Sequence, residues 1–77
     1  NVSPIALKEL YQKAIVDHAD HWLLFLELFE LAHSSQYETL AVLVKNHLLD
    51  LGDRNNQVIG LIKEGIELVL NNDKIVA

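Results

Sequence analysis

With 77 residues and no cysteine, the chain has room for one small domain, which buries only about 60% of the surface its unfolded form exposes and which no disulfide can reinforce. Eleven acidic against six scattered basic side chains leave a net charge of −5. That balance argues against a nucleic-acid surface, which needs clustered Lys and Arg, and against direct contact with anionic lipid, which needs a basic stripe.

The chain opens on Asn1 and contains no methionine. The expectation is a single helical domain over residues 1–77, forming a segment of a longer protein or stabilised by association.

Ser3-Pro4 reads as a helix start, because the serine oxygen can accept an orphan amide and proline at the first helical position has no amide to leave unpaired. From there to about Asp17, Leu7, Leu10, Tyr11, Ala14 and Ile15 recur at the spacing of one buried stripe. Asp17-His18-Ala19-Asp20 breaks the pattern, and Asp20 is placed as N-cap of a second helix over His21 to His33. Around Trp22 nearly every position of that helix is Leu or Phe, interrupted by Glu27 and Glu30, so it needs neighbours on more than one side. Too short and too acidic to span a bilayer, it reads as the middle of a stack.

Ser35 and Glu38 have the spacing of a capping box opening a third helix. Tyr37, Leu40, Ala41, Val44, Leu48 and Leu51 form its apolar face, with Val42, Leu43 and Leu49 off that face and Gly52 as its stop. After a polar turn at residues 53–56, Val58, Ile59, Ile62, Ile66, Val69 and Leu70 mark a fourth helix, ended by Asn71-Asn72-Asp73. Gly60 and Gly65 inside it each cost about 1 kcal/mol relative to alanine unless close packing requires them. Gly65 is assigned to a helix contact. The fold class is all-α, with four helices joined by short connections and consecutive helices antiparallel.

No residue pattern carries chemistry. There is no nucleophile triad order, Gly-rich phosphate loop or paired-carboxylate motif, and Glu27 and Glu30 serve to keep one face of an apolar helix soluble. The Asp17–His21 cluster falls at a helix junction where capping residues are expected, not at converging ligand positions; His33 and His47 suit helix C-termini. The chain is therefore read as a non-enzyme without cofactor or metal.

Trp22-Leu23-Leu24-Phe25-Leu26-Glu27-Leu28-Phe29, followed by Tyr37-Glu38-x-Leu40-Ala41, resembles the helical hairpin in the tetratricopeptide-like region of FimV-type pilus-assembly and polar-hub proteins. There a W-L-x-L-L-E-x-Y run precedes a small polar turn and F-E-x-L-A. Leu10-Tyr11-x-x-Ala14-Ile15 is similar to the second helix of a preceding repeat, and Leu61-Ile62-x-x-Gly65-x-x-Leu68 to the family's closing helix. The chain departs from the family pattern at Ala19 and at Leu70-Asn71-Asn72, where proline is common.

The resemblance implies a protein-binding scaffold, part of a type IV pilus assembly or cell-pole organising protein and lying in the cytoplasm as the soluble part of an inner-membrane protein. A protein partner or self-association follows from stacked hairpins leaving an extended contact surface. Leu24, Leu28 and Leu31, away from the Trp22, Phe25 and Phe29 side, are the residues expected to form it, with the first helix as their alternative partner. The competing expectation is a small stand-alone homodimer acting as a regulatory or adaptor subunit.

Overall fold

A computed structural model describes residues 3–76, with side chains over 3–71. It contains four helices, α1 (Pro4–Asp17), α2 (Trp22–Ser34), α3 (Glu38–Arg54) and α4 (Ile59–Val76), and no strand among the described residues. The protein is all-α.

At the start of α1 the Ser3 hydroxyl accepts the Ala6 N–H at 3.1 Å, with Pro4 in the first turn. The helix buries Leu7, Tyr11 and Ala14 but leaves Leu10 51% exposed and Ile15 at the edge, so its buried stripe is narrower than the five-residue pattern.

Four boundaries differ from the sequence expectation. The N-cap of α2 is His21, not Asp20: the imidazole Nδ1 accepts the Leu24 N–H at 3.3 Å, doing what a carboxylate at the preceding position cannot reach. The second is the capping box, which does not form. Tyr37 occupies the N-cap of α3 and its side chain makes no capping bond to the helix, because Ser35 is engaged in ending α2. There the Gln36 N–H donates to His33 C=O (3.1 Å) and the Tyr37 N–H to Ala32 C=O (2.9 Å), while Gln36 adopts a φ of 64°. This is the paired 5→2 and 6→1 bonding of a Schellman motif, with Gln36 in the left-handed position that usually holds glycine. The third is the end of α3. The helix runs past Gly52 to Arg54, where the Asn55 side-chain oxygen accepts the Gln57 N–H at 3.2 Å and turns the chain.

Gly52 is buried in the helix because α4 begins against it. A Cβ there would clash with the Ile59 side chain and stand 3.3 Å from the Ile59 Cα. Nor does α4 stop at Asn71-Asn72-Asp73; it continues to Val76.

The core joins Leu7, Tyr11 and Ala14 of α1, Phe25, Leu28, Phe29 and Ala32 of α2, the apolar face of α3, and Ile62 and Ile66 of α4. Along α2, only Leu23, Glu27, Glu30 and Ser34 are exposed, one narrow stripe at helical spacing. The remaining circumference is covered because α1, α3 and α4 all pack on it. The helices form no ring. Consecutive helices touch, and so do α1 with α3 and α2 with α4, but among the described residues α1 and α4 do not meet. In an up-and-down four-helix bundle the first and last helices are neighbours; here the molecule is a slab of 33 × 28 × 16 Å.

Candidate interaction surface

Where α1, α2 and α3 converge, Tyr11, Phe25 and His47 meet. The Tyr11 and Phe25 rings lie edge to face at 5.9 Å, and the His47 imidazole tilts onto Phe25 at 4.3 Å and stands edge-on to Tyr11 at 6.0 Å. Burial among these rings pushes the Tyr11 phenol up from its ordinary pKa. The His47 Nε2 is buried without a hydrogen-bond partner, so the ring serves here as an aromatic filler. His47 therefore points into the core and does not serve as a helix-end cation, an orientation that helix dipole arguments cannot reveal.

The other histidines lie at helix ends, His21 opening α2 and the remaining two closing helices. His18 follows the last residue of α1, its N–H donating to Ala14 C=O, and its ring meets that of His21 at 6.4 Å; His33 lies in the last turn of α2 beside Phe29. Among the described residues no group of three or more His, Asp or Glu converges as a metal site would require, and no helix is long and apolar enough to cross a membrane. Arg54 pairs with Asp50 one turn back on the exposed surface of α3, which raises the guanidinium pKa.

The three leucines assigned to a partner surface do not form one. Leu28 is buried in the domain's own core at 7% exposure, and Leu24 and Leu31 are half-buried and packed against that core. The leucine excess of α2 is consumed by its three helical neighbours.

Exposed large apolar side chains concentrate on the two terminal helices. Ile5, Leu10, Ile15 and Val16 lie on α1, and Leu61, Leu68 and Leu70 on α4, against Leu23 alone on α2 and Val42 and Leu43 on α3. The accessible surface is 5445 Å², against about 4,700 Å² for a closely packed monomer of this mass. An open groove of about 430 Å³ also runs between the start of α1 and the α2–α3 turn, lined by Pro4, Lys8, Tyr37, Thr39, Leu40 and Leu43 among others.

On α4, Gly65 packs directly against Leu26 of α2. A Cβ there would come within 2.6 Å of the Leu26 Cδ2 and 3.1 Å of its Cδ1, whereas Gly60 faces open space. The helix-contact assignment of Gly65 holds, and the contact fixes which faces of α2 and α4 lie side by side. No protein-family model, curated protein or solved structure matches this chain.

Proposed function

We propose that this chain is a protein-interaction module built of tetratricopeptide-like hairpins, with α1 as the second half of one repeat, α2 and α3 as a complete hairpin and α4 as the opening of the next. The observation that carries this reading is the contact order of the helices: neighbours one and two apart pack together while α1 and α4 stay separate. That order is open at both ends, as repeat stacking requires, since each layer touches only the layers beside it. The exposed apolar side chains on α1 and α4 supply the surfaces on which further layers or partners would settle.

On the resemblance of residues 22–41, the module would serve a FimV-type scaffold in type IV pilus assembly or in organising the cell pole, in the cytoplasm. The absence of any convergent catalytic constellation among the described residues gives an enzymatic reading nothing to build on.

The test is to append one idealised amphipathic capping helix after α4 and compare urea unfolding with the unextended chain. An open stack gains both midpoint and slope, because the cap buries surface that was exposed. A domain already complete leaves both unchanged. A midpoint of the unextended chain that rises with protein concentration would instead favour the stand-alone homodimer. The pilus assignment is tested by removing the segment from its gene: loss of pilus assembly or of polar placement, with the remaining protein still produced, supports it, and normal pili and poles count against it.

A further inference from the structure

The contact between Leu26 and Gly65 brings two exposed stripes side by side. On α2, Leu23 lies three residues before Leu26 and Glu30 four after it, with Glu27 beside them; on α4, Leu61 lies four residues before Gly65 and Leu68 three after it, with Glu64 beside them. These spacings are those of neighbouring positions on one helix face, so each stripe flanks the contact on the solvent side. All six side chains are exposed, with Leu68 at 66%. Together the stripes carry three leucines and three carboxylates and contain no base. The α2 helix contains no Lys or Arg, and Lys63, two residues from Gly65, projects from the far side of α4.

We propose that this α2–α4 face is a docking site for an amphipathic helical segment that is apolar on one side and basic along its edges. The inference rests on the interaction-module reading and adds the chemistry of the partner. Charge complementarity selects the occupant: three carboxylates on two stripes that contain no base repel a second copy of the same face and attract lysine or arginine flanking an apolar stripe. The leucines supply the anchors that an amphipathic helix lays into such a surface, and the carboxylates set its sign and its salt dependence.

The test uses a fluorescent Leu/Lys amphipathic peptide and its Leu/Glu counterpart, titrated with the intact chain at low and physiological salt, with circular dichroism to confirm the fold of every variant. The Leu/Lys peptide binds and the Leu/Glu peptide does not. Glu27→Lys with Glu64→Lys weakens the basic peptide by roughly tenfold or more and admits the acidic one. Leu61→Ser with Leu68→Ser weakens the basic peptide, whereas Ile5→Ser with Val16→Ser on the outer side of α1 leaves it unchanged. Equal binding of both peptides, equal losses from the α1 and α4 variants, or no binding of the basic peptide overturns the assignment. Failure here with a stabilising capping helix would remove this face and leave the open stack standing; binding here with an inert cap would keep the face and remove the repeat reading.

Discussion

Leu26 and Gly65 meet where α2 packs on α4, and the glycine leaves no room for a β-carbon beside the leucine: a Cβ at this position would lie 2.6 Å from the Leu26 Cδ2. The atoms in the way are the far end of a flexible side chain. Gly65→Ala is therefore expected to cost little, as the leucine turns aside while the helix gains propensity. Gly65→Leu is expected to overpack the contact and destabilise by roughly 1–3 kcal/mol. Gly60→Ala, which meets open space, is expected to stabilise by up to about 1 kcal/mol. Urea midpoints of the three variants check the order; a Gly65→Leu protein as stable as the wild type would remove the contact.

Gly52 stands in the opposite situation, because what approaches it includes the Ile59 backbone as well as its side chain. Gly52→Ala has to push α4 away from α3, and a loss on the order of 1–3 kcal/mol is expected despite the better helix propensity. Thermal unfolding that rises in this variant would count against the packing.

The turn between α2 and α3 gives a third expectation. Gln36 holds a φ of 64°, a conformation that costs a residue with a β-carbon about 1–2 kcal/mol and glycine far less. Gln36→Gly is expected to stabilise the domain by about 1 kcal/mol. Ser35→Ala, in contrast, removes no N-cap bond and is expected to leave the denaturation midpoint within about 0.5 kcal/mol of wild type. A loss of about 1 kcal/mol at Ser35 would restore the capping box.

Burial separates the leucines of α2 from those of α4. Leu28→Glu places a charge in the core without a partner and is expected to unfold the domain. Leu68→Glu, at a position 66% exposed, is expected to keep full helicity by circular dichroism. A folded Leu28→Glu protein would return that residue to a surface.

His47 carries a buried nitrogen with no partner, and leaving such an atom unsatisfied costs about 1–3 kcal/mol. His47→Phe preserves the aromatic packing with Phe25 and Tyr11 and is expected to raise the melting temperature. A lower one would mean that the nitrogen has a bonding role in solution.

The amino-acid order by itself determined the helical class and the extents of α1 and α2 to within a residue, since hydrophobic spacing and the Ser3-Pro4 start act over one or two turns. Periodicity also identified the buried face of α3, from Leu40 to Leu51, and the lack of space at Gly65 was legible because an unexplained glycine inside a good helix needs a neighbour. The Ser35–Glu38 spacing misled for a physical reason: Ser35 and Gln36 were needed to finish α2, so the N-cap of α3 fell two residues later, at Tyr37. Gly52 resembled a stop because a glycine required for close approach has the same local signature as one required for a turn. Only tertiary structure decided which leucines were covered, since that depends on how many helices settle around α2 and not on the order of residues along it. Three neighbours took Leu24, Leu28 and Leu31, and most of the exposed apolar surface passed to α1 and α4, which among the described residues do not pack on each other.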